Sequence, residues 1–393
     1  MSRNEDWHEE RRRCLERARL VVVKVGSAVL AGENGLSEAV MTGLARQLAI
    51  LRGNDGVRKV VLVSSGAVAA GRRALARHGR ACETQGLAAR QAAAALGQAQ
   101  LMRLWDKALL PYGIPAAQIL LTRDDLRART RFLNVRNTFA ELLSWDVLPV
   151  VNENDTVSVR ELKFGDNDCL ASLLVNLVGA DLYINLTSAP GVYASNPDTD
   201  AGAAVLPCID DVARLDLGRL CGGKTSVGTG GMYSKLLAAR RAAQLGVPTL
   251  ILPGRRENVI GRALAGECVG TWVRPAEHAI SRRKFWLAYQ TDPAGTLWVD
   301  EGAASALSGK GGSLLPGGVR RVDGVFQKGA LVRVARLGCA GPQASLGVGL
   351  TNYAAGELRK IMGLRRHEVA AILGDAHYPE VIHRDNLLLD AAI

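Results

Sequence analysis

The apolar positions of this chain switch repeatedly between the period of a buried strand and that of an amphipathic helix. Residues 20–25, LVVVKV, are a β-branched run without alternation, which predicts a strand buried on both faces and closed by the glycine turn Gly26-Ser27. A helical pattern over 37–52 follows, then an apolar strand over 57–63, then Ser64-Ser65-Gly66-Ala67 opening another helix. The Ala-rich residues 86–110 predict a long helix. Further along, 114–121 reads as strand, 130–144 as helix, 147–151 as a buried strand, 169–178 as an apolar helix and 181–186 as a strand ending in Thr187-Ser188-Ala189-Pro190-Gly191. Residues 232–245 predict a helix and 248–252 a strand closed by Pro253-Gly254. Strands alternating with helices at this spacing predict an α/β fold, a mainly parallel open sheet with helices on both faces, through about residue 272.

After Arg274-Pro275 the texture changes. Residues 281–292, SRRKFWLAYQTD, read as a connector or an edge strand. From Gly295 onward short β-like runs at 297–299 and 330–334 alternate with glycine-rich turns, Lys310-Gly311-Gly312 and Pro316-Gly317-Gly318, and predict a second, compact β-rich domain. The expected boundaries are a charged tail over 1–17, a solvated helix or mobile segment; an α/β domain over 18–274; a connector over 275–292; and the β-rich domain over 293–393.

Composition narrows the function without choosing it. The net charge of +11, from 49 Lys+Arg against 38 Asp+Glu, favours anionic partners such as nucleotides, phosphates or RNA. The seven cysteines are scattered with no metal-ligand spacing, which points to a reduced, cytoplasmic chain and to no protein-built metal site. The amino terminus is charged through Arg19, and the apolar run behind it is interrupted by Lys24, so the expectation is neither a signal peptide nor a membrane span.

The candidate chemistry concentrates in residues 150–174. Asn152-Glu153-Asn154-Asp155 sit at the end of a buried strand, and Asp166-Asn167-Asp168 open a helix; the segment 156–164 between them reads as a hairpin turning at Gly165. Turns and helix caps need one or two such residues, and here there are seven. Polar groups at the carboxyl ends of parallel strands, facing a helix amino terminus, are where an open α/β sheet builds a ligand site. Carboxamides there suit an amino or carboxyl group, and carboxylates suit an ammonium, a metal or a lysine. Lys24, at the end of a buried strand, requires a partner because an isolated buried ammonium is costly.

Two glycine motifs compete for phosphate. Gly218-Arg219-Leu220-Cys221-Gly222-Gly223-Lys224-Thr225 fits the P-loop pattern, but that loop needs a strand before it and a helix after it, and residues 209–220 are polar and helical in pattern. Gly228-Thr229-Gly230-Gly231-Met232 leads directly into a helix carrying Lys235. Glycine N–H groups, a helix dipole and a lysine together make an anion site.

Taken together, Val22-Val23-Lys24-Val25-Gly26-Ser27, Ser64-Ser65-Gly66-Ala67-Val68, Leu121-Thr122-Arg123, Val151-Asn152-Glu153-Asn154-Asp155, Phe164-Gly165-Asp166-Asn167-Asp168 and Gly228-Thr229-Gly230-Gly231-Met232 resemble the glutamate 5-kinases of the amino-acid kinase fold. Val299-Asp300-Glu301-Gly302-Ala303, Ser313-Leu314-Leu315-Pro316-Gly317-Gly318 and Val381-Ile382-His383-Arg384-Asp385 resemble the PUA domain carried by the longer members. The resemblance implies ATP-dependent, Mg2+-assisted phosphorylation of the γ-carboxylate of L-glutamate at the start of proline synthesis, with the product passed to glutamate-5-phosphate reductase. By position it gives Lys24, Lys235 and Asp168 the catalytic roles and Ser65, Asp155, Asn167 and Asn152 the glutamate. Lys24, Thr187, Ser188, Thr229, Gly230, Gly231, Met232, Tyr233, Ser234 and Lys235 go to ATP. It further implies a homo-oligomer, dimer or tetramer, and feedback inhibition by proline tuned by residues 125–136 and Glu161. Two positions depart from the family pattern: Ser188 stands where a nucleotide-contacting carboxylate is usual, and Tyr233 where a small polar residue is usual. A related kinase acting on another acid, and an RNA-binding role for the PUA-like part, stay open as alternatives. For the latter, residues 281–393 hold only 14 Lys+Arg against 10 Asp+Glu, a weak nucleic-acid footprint.

Overall fold

The computed structural model describes residues 6–33, 35–53, 57–80, 86–158, 167–197, 199–200, 202–221, 231–289, 292–310, 312–339, 344–374 and 378–389. They form two units, Met1–Ala279 and Ile280–Ile393.

The first unit opens with helix α1 (Trp7–Arg17) and strand β1 (Leu20–Val25). After β1 come α2 (Glu38–Arg52), β2 (Lys59–Ser64), α3 (Ala67–Arg77), α4 (Leu87–Leu109) and β3 (Ala116–Leu121). Then follow α5 (Arg123–Arg127), α6 (Arg129–Ser144), β4 (Leu148–Glu153), α7 (Asn167–Leu174), β5 (Leu182–Thr187) and β6 (Cys208–Ile209). The unit closes with α8 (Met232–Gln244), β7 (Thr249–Pro253), α9 (Val259–Leu264) and β8 (Thr271–Val273). The sheet runs β3-β4-β2-β1-β5-β7-β8-β6, parallel at every pairing except β7 with β8. β1 lies inside this sheet with helices packed over it, which is why its valines are sealed from solvent and why its sequence shows no alternation. In register, Lys24 stands between Val63 of β2 and Asn185 of β5.

The polar turn after β2 is fixed by packing from both sides. Gly66 has φ +115°, and a Cβ there would lie 2.9 Å from Leu36 Cδ2, so only glycine turns the chain sharply into α3. α3 then crosses α4 at two glycines: a Cβ on Gly71 would lie 1.8 Å from the Ala93 carbonyl oxygen, and one on Gly97 1.8 Å from that of Ala67. The Trp105 indole N–H donates to Ser64 Oγ at 2.9 Å and ties α4 to the strand end that carries Ser65.

Three expectations need correction. The charged segment 1–17 is, over Trp7–Arg17, a packed helix: Leu15 lies in the core, and Arg11 is buried, donating to the carbonyls of Ala263 at 3.2 Å and Glu267 at 2.7 Å. Glu10 pairs with Arg274 at 2.7 Å, so charges that read as solvated serve instead to seat the helix. The connector 275–292 contains helix α10 (Arg282–Tyr289), which buries Phe285 and Leu287 within the second unit. The strand expected over 147–151 spans Leu148–Glu153, with Asn152 and Glu153 both buried, so β4 itself carries the first half of the polar cluster 152–155. The expected hairpin over 156–164 and its Gly165 turn lie, from residue 159 on, outside the described residues, as do Asp166, Glu161 and Lys224.

The second unit continues with β9 (Gly295–Val299), α11 (Glu301–Lys310), β10 (Val319–Gly324), β11 (Leu331–Arg336), β12 (Ser345–Leu350), α12 (Ala355–Ile361), α13 (Arg366–Leu373) and β13 (Leu387–Leu389). Its sheet runs β10-β9-β11-β12-β13, antiparallel except for β9 with β11, around a core that includes Leu297, Val332, Leu358 and Ile382. Among the described residues no helix is long and apolar enough to cross a membrane.

Candidate active site

Strand β1 delivers Lys24 and helix α7 delivers Asp168 to one buried point at the carboxyl end of the sheet. Lys24 Nζ lies 2.5 Å from Asp168 Oδ1, with the two side chains 2% and 0% exposed. From the other side, the first turn of α8 brings Lys235 Nζ to 3.3 Å from Asp168 Oδ2, at 6% exposure. Ser234 Oγ donates to the same Oδ2 at 2.8 Å, and Asn185 Nδ2 donates to Oδ1 at 2.8 Å. Both carboxylate oxygens are thus engaged by a lysine and a neutral donor. Burial alone pushes the Asp168 carboxyl up, but the attraction of Lys24 and then Lys235 outweighs it and holds the group well below the usual carboxylate range.

This pairing is tied to local sequence. β-branched residues press β1 flat between helices, so the residue before its last has no route to solvent and must find a charge inside. Gly231, extended at φ −72°, stops the chain just before α8, and the helix begins with Met232-Tyr233-Ser234-Lys235. The Gly231 carbonyl accepts from Lys235 Nζ at 3.4 Å and lies 2.8 Å from Ser234 Oγ, whose single hydroxyl proton it shares with Asp168, which folds both side chains back over the helix start. The first N–H groups of α8 have no intrahelical acceptor, so the same turn offers donors and a positive dipole end to an anion.

A second, uncharged cluster stands next to the first in sequence, since Asn167 precedes Asp168. Asn167 Nδ2 donates to Ser65 Oγ at 2.7 Å and to Asn152 Oδ1 at 3.0 Å, joining the ends of β2, β4 and α7. Asn152 Oδ1 accepts the Glu153 N–H as well, at 2.9 Å. Asn167 Oδ1 is buried with no hydrogen-bond partner, an acceptor left open within a site of donors and acceptors. Asp155, in the turn after β4, is half-buried; burial pushes its carboxyl up, against the pull of Arg90.

The residues expected from sequence are therefore brought together in two groups, Lys24, Asp168, Lys235 with Ser234, and Ser65, Asn152, Asn167. Thr187 is buried at the end of β5, where its carbonyl accepts the Gly254 N–H at 2.8 Å, while Ser188 and Tyr233 are exposed. Met232 is half-buried beside Tyr233. Thr229 and Gly230 lie outside the described residues. Sequence reading passed over Asn185, absorbed into an apolar run; its signal was a lone carboxamide among Leu182, Tyr183, Ile184 and Leu186 in a strand whose every residue is buried. Among the described residues no three His, Cys, Asp or Glu side chains group as metal ligands, and Asp168, the deepest carboxylate, already has both oxygens occupied.

Comparison with known proteins agrees in both units. The sequence profile of the amino acid kinase family matches residues 19–253, and that of the PUA domain matches residues 295–373. A glutamate 5-kinase of Nitratidesulfovibrio vulgaris (strain DP4) is 64% identical over 389 residues, covering 99% of this chain and all of the relative. One from Oleidesulfovibrio alaskensis is 60% identical over 99% of this chain and all of its own length, and one from Geobacter sulfurreducens 46% over 95% and 98%.

Proposed function

This chain belongs to the amino acid kinase family and, within it, to the glutamate 5-kinases, and we propose on that premise how its own residues divide the work of phosphorylating L-glutamate. The reaction transfers the γ-phosphoryl group of ATP to the γ-carboxylate of L-glutamate, giving γ-glutamyl phosphate at the first step of proline biosynthesis. A carboxylate oxygen forms the new P–O bond as the β,γ-bridging P–O bond breaks and ADP departs, and no proton has to be removed from the acceptor. Catalysis then rests on positioning and on charge stabilisation.

The observation that carries this reading is the Lys24–Asp168–Lys235 array: one buried carboxylate holding two ammonium groups, one on each oxygen. The positive charges of Lys24 and Lys235, held side by side on Asp168, stabilise the oxygens of the phosphoryl group in flight. Asp168 holds the lysines and prevents their mutual repulsion from driving them apart. The glycine turn before α8, with Thr229 to Ser234, takes the nucleotide phosphates on helix N–H groups, and Thr187-Ser188 lie along the nucleotide. Ser65, Asn152, Asn167 and Asp155 take the amino-acid part of glutamate, the open Asn167 Oδ1 and the Asp155 carboxylate suiting its α-ammonium. Mg2+ would come bound to ATP and would supply neutralisation of the phosphate charge.

The same reading makes the chain a cytoplasmic homo-oligomer whose product goes to glutamate-5-phosphate reductase. Proline competes at the glutamate subsite, tuned by residues 125–136, where Asp125 closes a capping box with Thr122 and pairs with Arg131, and by Glu161. The direct test is a γ-glutamyl hydroxamate assay with ATP and L-glutamate, aspartate or N-acetylglutamate. Preference for L-glutamate is expected; equal or better turnover of another acid overturns the substrate assignment.

A further inference from the structure

Asn185 is a residue that folding alone does not explain. It sits in the fourth position of β5, 0% exposed, between strands β1 and β7, in a run otherwise made of Leu182, Tyr183, Ile184 and Leu186. Its Nδ2 donates to Asp168 Oδ1 at 2.8 Å and to Tyr183 Oη at 2.9 Å, while its own Oδ1 is buried without a hydrogen-bond partner. A buried acceptor left unpaired opposes folding, and an apolar side chain of similar size would avoid that penalty. The orientation of the amide is also forced: turning it over would aim its oxygen at a carboxylate oxygen. What the residue provides is a donor aimed at Asp168.

Resting on the kinase reading above, we infer that Asn185 is a positioning residue for the reaction: it fixes the rotation of the Asp168 carboxylate so that each of its oxygens serves a different lysine. The register supports this division. Asn185 lies directly beside Lys24 across the parallel β1/β5 pair, so the amide and the ammonium reach the same oxygen, Oδ1, from neighbouring strands. Oδ2 is thereby left to Ser234 and Lys235. Ser234, on α8, performs the matching task from the nucleotide side. Tyr183 Oη, two residues earlier on the same strand and fully buried, accepts the second amide hydrogen and stops the amide from turning. Without Asn185 the carboxylate can rotate toward Lys235, and the spacing of the two ammonium groups, which matters only when charge moves onto the transferring phosphoryl, is lost.

The test is steady-state kinetics of the full-length protein carrying Asn185→Leu, Tyr183→Phe or both, with thermal unfolding measured in parallel. Asn185→Leu is expected to lower kcat at least about tenfold, with KM for ATP and for glutamate changed less than about threefold, because a group acting only on the transition state leaves substrate affinity alone. Its Tm should be unchanged or higher, which a merely structural role would reverse. Tyr183→Phe should lower kcat by less, and the double variant should match Asn185→Leu, because Tyr183 acts through the amide. If Asn185→Leu retains kcat within twofold of the parent, or if the two substitutions multiply, the inference is overturned. Should Asn185→Leu not fold, Tyr183→Phe decides: an unchanged kcat rejects the inference, and a fall in kcat at unchanged KM supports it. A parent protein that does not phosphorylate glutamate would instead refute the kinase reading, independently of any variant.

Discussion

The two halves of the site solve opposite problems with opposite means. On one side Asp168, Lys24 and Lys235 are charged and almost wholly buried, and burial is offset only because the ions meet one another. On the other, Ser65, Asn152 and Asn167 are neutral, joined by ordinary hydrogen bonds at 2.7 and 3.0 Å. The two carboxyls of the site diverge in the same way: the lysines hold Asp168 down, whereas burial pushes Asp155 up. On the proposed reading, charge is concentrated where it moves during the reaction, and neutral groups stand where a ligand of fixed charge has only to be recognised.

The strongest test of this contrast removes the charged half. Lys24→Ala and Lys235→Ala should each lower kcat by about a hundredfold or more, the scale of electrostatic groups aimed at a transferring centre. Each deletion also leaves Asp168 with a single lysine, so the variants should be checked for folding by circular dichroism. Deleting parts of the neutral half should act differently. Asn152→Ala and Asn167→Ala are expected to raise KM for glutamate about tenfold, in line with the loss of one or two hydrogen bonds to a charged ligand, with a smaller change in kcat. If instead the neutral half controls kcat and the charged half KM, the proposed division of labour is wrong.

Asp155 sharpens the comparison through stability. Its carboxyl is raised in the folded state above its ordinary value of 3.8, so it favours folding only when protonated; that contribution is present below 3.8 and is lost as the pH rises through the folded value. Once ionised, the group opposes folding. Asp155→Asn should raise Tm at pH 7 and should raise KM for glutamate, a trade that no substitution at Asp168 would reproduce. Asp168 has the reverse sign: its stabilisation is present above 3.8 and fades only on acidification below that value. Thermal melts across pH for the parent, Asp155→Asn and Asp168→Asn would check both signs.

The charged half was also the more legible in sequence, for a physical reason. A lysine in a β-branched strand has no solvated alternative, so its need for a buried partner could be argued from Lys24 alone. Strand β1 was likewise readable to the residue, because a strand covered on both faces is a continuous apolar run. Asn185 was not read, since one carboxamide barely changes the mean character of LYINLT; its meaning depends on Asp168, seventeen positions earlier in sequence. The arginines of α1 and α10 misled the reading, so that α1 was expected as a solvated helix or mobile segment and α10 as a connector or edge strand: Arg11 is buried through contacts to Ala263 and Glu267, more than two hundred and fifty positions away, which no local pattern records. The α7 helix starts at Asn167 and runs into a π-turn over Val175–Gly179, so the predicted helix 169–178 held its middle and missed both ends, where capping and tertiary packing decide.

Removing the second unit tests a wider contrast. Each unit has its own core and sheet, and every residue of the proposed catalytic array precedes Leu236. A protein ending at Ala279 should therefore retain measurable glutamate-dependent phosphoryl transfer. A folded truncation with no activity at any Mg2+ concentration would show that the PUA-domain unit completes the site.

The smallest effect is expected at Lys224, and it bears on which lysine meets the phosphates. The P-loop pattern at residues 218–225 works only as a turn between a strand and a helix, because the strand end and helix start aim the loop's N–H groups inward. Here the residues entering the motif, Leu217–Leu220, are a short helix, and α8 does not begin until Met232, seven positions beyond Thr225. Lys235, by contrast, lies in the first turn of α8 with its ammonium buried against Asp168. Lys224→Ala should accordingly change kcat by less than about tenfold, since a lysine that does not reach the phosphates is screened by solvent and contributes little. The decisive comparison is the ratio of the Lys224→Ala and Lys235→Ala effects measured under saturating ATP and glutamate. A Lys224→Ala loss as deep as that of Lys24→Ala, with Lys235→Ala tolerated, would move the phosphate site to residues 218–225 and dissolve the two-lysine array as the centre of the reaction.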